Sequence, residues 1–284
     1  MKIQELPADS ATIATLYEKG TAYYPRPSWA MINTYFVLKS PNGSAHVRVT
    51  SDDTVTLSKS DKQLTFNRVT PRDGAQKAFF DSLANPKNLL TVGQGRPGSG
   101  KTHLTMAWAF DHLFTNENSR LVLTKPNTVV GSTFGFGAVP GDLGEKFQPF
   151  LMSYEDTFHD LGLTNMYLEK LVEKGRLEFR PVQYLRGANL RDTILIIDEM
   201  QNLTWHELKT ILTRAADKSK VVAIGDPSQI DVKMSREETG FHKLVTSSAF
   251  AESPVTSWIT FEKQYRTALC ELVENVDAEL AKRK

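Results

Sequence analysis

Three short stretches of this chain hold side chains whose types and spacing suit phosphate chemistry. The first is GRPGSGKT, residues 95 to 102. A loop of Gly95, Arg96, Pro97, Gly98, Ser99 and Gly100 can curl through its glycines. Several backbone N–H groups, with the N-terminus of a helix opening at Lys101, Thr102 and His103, would then point at a β-phosphate. Lys101 would reach the β- and γ-phosphates, and the Thr102 hydroxyl suits a Mg²⁺ ion. The second stretch, TILIIDE, ends a buried-strand run in Asp198 and Glu199. A carboxylate at the carboxyl end of a strand beside a phosphate loop can hold Mg²⁺, and its neighbour can orient or deprotonate an attacking water. Taken alone, the pair would equally suit the first turn of a helix. Beside a phosphate loop it implies hydrolysis more than transfer to a metabolite. The third stretch, VVAIGDPSQID, places the neutral Gln229 after another strand run. Its amide both donates and accepts, so near a γ-phosphate it would report whether that group is present; in isolation it is equally a turn residue after GDPS.

Positioning these groups needs strands that end together and helices that start there. NLLTV, RLVLT, RLEFR, TILIID, KVVAIGD and VTSWITF are short apolar runs. Several are separated by helix-length segments such as THLTMAWAFDHLF and TWHELKTILTRAA. Continuous apolar strands alternating with helices predict an α/β fold with a mostly parallel sheet covered on both faces. Before Pro71 the rhythm differs. Ser10 to Lys19 reads as a helix, YPRPS as a turn-rich connection, and Tyr35 to Phe66 as an antiparallel meander of alternating Val- and Thr-rich runs broken by PNGS and SDD. The expected division is therefore a β-rich appendage over 1–70 and a nucleotide domain over 71–284.

A net charge of +1 gives no global field to attract nucleic acid, so such a partner would need a local basic patch. One candidate runs through Lys170, Lys174, Arg176, Arg180, Arg186 and Arg191, with Phe179 and Tyr184 interleaved. Arginines for phosphates and aromatics for bases suit a single strand without sequence preference, although a solvated charged helix and an ordinary strand explain the run as well. A second candidate is the glycine-rich stretch from Gly131 to Lys146, a gripping loop or a plain connection. Cys270 is the sole cysteine, which excludes an internal disulfide, and no histidine spacing suggests zinc. No run approaches the ~20 apolar residues of a membrane span, and the N-terminus carries no apolar signal core.

The order GRPGSGKT, LTKP, PGDLGEKFQPF, YLRGANLRD, IIDEMQNLT and IGDPSQID resembles the PhoH-like (phosphate-starvation-inducible) ATPases, which are similar to the first motor domain of superfamily 1 helicases. The resemblance covers about Pro71 to the end, and PGDLGEKF and YLRG are not general phosphate-loop features. It implies a RecA-like P-loop NTPase fold with ATP and Mg²⁺ as ligands; the cysteine usage suits a reduced, cytoplasmic protein, expected in a bacterial cell or a phage-infected bacterium. By resemblance, Gln76 would read the adenine edge, and Lys101, Thr102, Asp198, Glu199 and Gln229 would take the roles given above. Arg266, in FEKQYRTAL, resembles the arginine that follows the last strand in these proteins, where it could stabilise charge on the γ-phosphate. Met200 stands where the family usually has alanine. Single-stranded RNA or DNA is the expected partner, with Lys125, Lys146, Arg180, Tyr184 and Arg186 as candidate contacts. The sequence runs 18 residues past Arg266, too few for a second motor domain, so the other wall of the ATP cleft is expected from a second copy. A homo-oligomer, with a hexameric ring implied by the resemblance, would supply it. An ATP-switched assembly module and a small-molecule kinase are the alternatives.

Overall fold

The computed structural model describes residues 2–59, 61–126 and 153–265, with Leu272 and Val276; for 61 and 62 it describes the backbone alone. The chain opens with strand β1 (Glu5–Pro7) and helix α1 (Ser10–Lys19), then β2 (Thr21–Tyr23), β3 (Tyr35–Ser40), β4 (Gly43–Val49) and β5 (Thr54–Leu57). Helix α1 spans the residues that the sequence predicts. Asp9 caps its first turn by accepting from the Thr12 N–H, and Gly20 ends it at φ 76°, a left-handed conformation that glycine adopts without cost.

The meander is also as expected, β3 pairing with β4 and β4 with β5, all antiparallel. Two three-residue strands extend it to five, in the order β1-β3-β4-β5-β2. ELP and TAY are too short to show an alternating pattern, so no periodicity marks them. Ala45, Val47 and Val49 alternate inward and meet Ile13 and Leu16 of α1 in a core of their own.

Downstream lie α2 (Gly74–Ala84), β6 (Leu90–Gly95), α3 (Lys101–Thr115) and β7 (Arg120–Thr124), then α4 (Glu155–Asp160), α5 (Asn165–Glu173), β8 (Leu177–Phe179) and β9 (Thr193–Ile197). The rest comprises α6 (Trp205–Leu212), β10 (Lys220–Gly225), α7 (Gly240–Val245), α8 (Ser248–Ala251) and β11 (Thr256–Phe261). Strands β6 to β11 form one parallel sheet in the order β11-β6-β10-β9-β7-β8, the RecA-like P-loop arrangement. Its strands read as continuous apolar runs because both faces are buried. Leu121, Leu123, Ile194 and Ile196 pack with α2 to α5 on one side, whereas Val122, Leu195 and Ile197 pack with α6 and α7 on the other. Helix α6 stops at Leu212, short of the predicted segment, because the next residues turn back to pair with Leu190 through Arg214 O and the Ala216 N–H.

The two sheets are joined through buried polar contacts. Asp81 on α2 accepts from the Tyr35 hydroxyl (2.9 Å) and the Lys59 N–H (2.9 Å). The Asn33 amide donates to Pro254 O and Thr256 O at 3.0 and 2.9 Å. No described helix is long and apolar enough to cross a membrane.

Candidate active site

The parallel register sets the ends of three strands level: Gly225 of β10 pairs with Gln94 of β6, and Ala223 with Ile197 of β9. Everything that follows these ends therefore meets at one edge, where α/β sheets bind ligands. A cavity of about 310 Å³ opens there, lined by Pro97, Gly98, Gly100, Lys101, Thr102, His103, Thr157, Asp198, Glu199, Gly225, Asp226 and Gln229. Residues separated by more than a hundred positions in the chain thus share one wall. A larger groove of about 800 Å³ lies between α4 and α5, but among the described residues its lining holds three carboxylates, Glu155, Glu169 and Glu173, and no lysine or arginine, which disfavours a phosphate.

The loop between β6 and α3 has the geometry its glycines predict. Gly98 and Gly100 adopt φ 78° and 89°. Gly95 has another reason: a Cβ there would stand 2.8 Å from the Cβ of Phe261 on the neighbouring strand. Helix α3 begins without a side-chain cap, so its first N–H groups face the loop. Lys101 folds over the loop, donating to Gly95 O and, at 3.2 Å, to Arg96 O. His103 lines the cavity, and burial lowers its pKa.

Asp198 and Glu199 stand opposite the loop. The Asp198 carboxylate accepts from the Glu199 N–H (3.0 Å) and from the Tyr154 hydroxyl (3.1 Å). Burial first, and the Glu199 charge second, push its pKa up to about 6. Tyr154 is almost wholly buried, and burial together with Asp198 holds its pKa well above 10, so its hydroxyl stays a donor. Glu199 sits at φ 53°, an uncommon conformation for a residue with a Cβ and one found at functional turns.

Gln201 binds this pair to the next strand end. Its amide donates to Glu199 Oε2 (2.6 Å) and Gln229 O (2.9 Å), and its Oε1 accepts from the Asp226 N–H (3.0 Å). A Cβ on Gly225 would fall 2.2 Å from that Oε1.

Other predicted residues lie elsewhere. Gln76 is buried behind the loop, its Oε1 accepting from the Arg72 N–H (2.8 Å) and its amide donating to Ser99 O (3.3 Å). It is not among the residues that line the cavity. Arg266, Lys146 and the Gly131–Lys146 stretch lie outside the described residues. Tyr265, which no sequence motif marks beside its charged neighbour, donates its N–H to Gly98 O (2.8 Å) and its hydroxyl to Asp73 (2.8 Å). Arg72 faces its ring at 5.4 Å.

The basic run does not form one patch. Arg176 donates to the carbonyls of Leu113 and Asn116 at the end of α3, which makes it a helix cap, and to that of Ser119 just before β7. Phe179 is buried in the core, Arg180 pairs with Glu178, and Arg191 with Asp217. Tyr184 and Arg186 are exposed. Lys125, at the end of β7, donates to Ser153 Oγ (3.0 Å) and lies 5.8 Å from the Tyr154 ring centre.

The cavity fits a nucleotide phosphate with a hard divalent cation. Among the described residues, no group of three or more His, Cys, Asp or Glu could hold a metal by itself. A cation here must combine the Thr102 hydroxyl and the Asp198 carboxylate with oxygens from a ligand, which is how Mg²⁺ binds in phosphate sites. Asp226, also on the wall, keeps a buried Oδ2 without a partner among the described residues.

The model of the family described as PhoH-like protein matches residues 68–276. A PhoH-like protein of Bacillus subtilis is 40% identical over 149 residues, which cover 52% of this chain and 46% of that one. A protein named PhoH2 of Thermobispora bispora is 28% identical over 95% of this chain and 61% of its own length. The chain thus spans about half to three fifths of the curated relatives it matches. Among solved structures, the Pif1 helicase of Candida albicans aligns with 68% of this chain and 40% of its own, at 18% identity and a TM-score of 0.34.

Proposed function

Since this chain belongs to the PhoH-like protein family, we propose that it hydrolyses ATP with Mg²⁺ and couples the reaction to single-stranded RNA or DNA. The observation that carries this reading is the single cavity in which Lys101, Thr102, Asp198, Glu199 and Gln229 meet from three separate strand ends.

In this reading the curled loop and the open N-terminus of α3 hold the β-phosphate through backbone N–H groups. Lys101 turns from its loop carbonyls to the β- and γ-phosphates, and Thr102 and Asp198 hold the cation. Bound there, Mg²⁺ neutralises charge on the phosphate oxygens. Glu199 accepts the proton of the attacking water, held in place by the Gln201 amide. Gln229, tied to the same amide through its carbonyl, carries the side chain that senses the γ-phosphate. Gln76 and Tyr265 both bond the loop, and the flat Tyr265 ring suits stacking on the base. Arg266, next in the chain, supplies positive charge to the γ-phosphate from its own subunit or a neighbour's.

Lys125, Lys146, Arg180, Tyr184 and Arg186 are the proposed strand contacts. Four of them lie at or just after the carboxyl ends of β7 and β8. The reading treats 1–70 as an appendage to the 71–284 ATPase body and the whole as a homo-oligomer, a hexameric ring, in the cytoplasm of a bacterial cell or a phage-infected bacterium. Phosphate release measured with and without homopolymeric RNA and DNA tests it. Wild type is expected to be stimulated by a single strand, and Lys101→Ala to lose at least about two orders of magnitude in rate. Full activity in Lys101→Ala would remove the phosphate-loop assignment, and indifference to both polymers the nucleic-acid coupling.

A further inference from the structure

Tyr154 lies outside every motif that identifies the site, yet its hydroxyl is one of two described donors to the Asp198 carboxylate, 3.1 Å from Oδ2. The ring cannot swing freely. It is 2% exposed and packs 6.0 Å from Phe158, which in turn meets Phe110 of α3 edge-on at 5.5 Å. Lys125 lies 5.8 Å from the ring centre and donates to Ser153, the residue before it. The hydroxyl is therefore fixed by the packing of α4 on α3 and by the end of β7, and both hold it against β9.

An ionised carboxylate has about four lone-pair sites. The Glu199 N–H takes one on Oδ1 and Tyr154 one on Oδ2, so each oxygen keeps one site for a cation or its water while the plane of the group is fixed. We propose that Tyr154 is a positioning residue for the metal site: its hydroxyl holds Asp198 in the orientation that receives Mg²⁺ with the nucleotide. The inference rests on the Mg²⁺–ATP reading of the cavity. A purely structural role is the competing account, since a buried tyrosine needs a partner for its own hydroxyl.

The test uses the full chain and a slowly hydrolysed fluorescent ATP analogue, with Mg²⁺ titrated at fixed nucleotide. Tyr154→Phe keeps the ring and its packing and removes only the donor. The half-saturating Mg²⁺ concentration is expected to rise about tenfold, the lower end of what losing an outer partner of a metal ligand costs. Binding of the analogue in excess chelator is expected to stay unchanged, and the thermal midpoint close to wild type. Half-saturation that is unchanged or lower in Tyr154→Phe overturns the inference, as does an equal loss of binding in chelator, which marks a structural effect. A wild type without Mg²⁺-dependent binding overturns the Mg²⁺–ATP reading itself, whereas a Mg²⁺-responsive wild type matched by Tyr154→Phe overturns this inference alone.

Discussion

Glu199 and its neighbours show how much chemistry rests on single atoms. The carboxylate oxygen that would take a proton from water is held 2.6 Å from the Gln201 amide, and that amide also holds Gln229. Glu199→Gln keeps size and shape while removing the base. Nucleotide binding is therefore expected to survive while single-turnover phosphate release falls about 10²- to 10⁴-fold, the usual contribution of a positioned base. Equal rates in the two proteins would move the base elsewhere. Asp198 and Glu199 were legible in the sequence only beside the phosphate loop, since two acids after a buried run equally suit the start of a helix. Gln201 was not, since a glutamine four residues past a strand carries no signal until β10 is placed beside β9. Tyr154 and Thr157 were hidden for the same reason: nothing local ties them to residues some forty positions later.

At the scale of elements, α2 links the first sheet to the phosphate loop. It starts at Asp73, which bonds Tyr265, presents Gln76 to Ser99, carries Asp81 to Tyr35, and ends under Lys220. Lys220 donates to the carbonyls of Ser82, Leu83 and Asn85 and lies 5.5 Å from the Trp108 ring centre. Burial lowers its pKa to about 7 from 10.5, so the folded state releases this proton before the unfolded chain does. Below pH 7 both states hold the proton and the cost of burying the charge is fully present. Between about 7 and 10.5 the unfolded chain binds more protons, so stability rises with pH across that window. Urea unfolding of wild type against Lys220→Met is expected to show this rise in the difference between them; a flat difference would mean that the three carbonyls offset the burial. The helix itself was not singled out in the sequence, although Gln76 was. Its capping residue Asp73 and its burial against two sheets emerge only when those sheets are in place.

For the whole molecule, the parallel α/β class was legible because strands buried on both faces read as apolar runs, as TILII does, but the strand order was not. Which strands flank β6 depends on crossovers that no local pattern encodes. The same limit applies to assembly. Among the described residues that line the cavity, Lys101 and His103 are the basic side chains and none is an arginine. If, in the proposed ring, Arg266 serves the nucleotide of the adjacent copy, one subunit supplies Lys101 and the next supplies Arg266 to each site. Lys101→Ala and Arg266→Ala proteins are each expected to be inactive, because every site then lacks one of the two. Mixed in equal amounts under conditions that exchange subunits, about a quarter of the interfaces of a closed ring would join an intact Lys101 to an intact Arg266. ATPase activity should then reappear, approaching about a quarter of wild type, and native mass should show the mixed ring in the presence of a Mg²⁺–nucleotide analogue. If Arg266 instead serves its own subunit, no mixture repairs any site and activity stays at the level of the separate variants. Recovery would assign the arginine to the neighbour, and its absence, with subunit exchange demonstrated by mass, would assign it to the same chain.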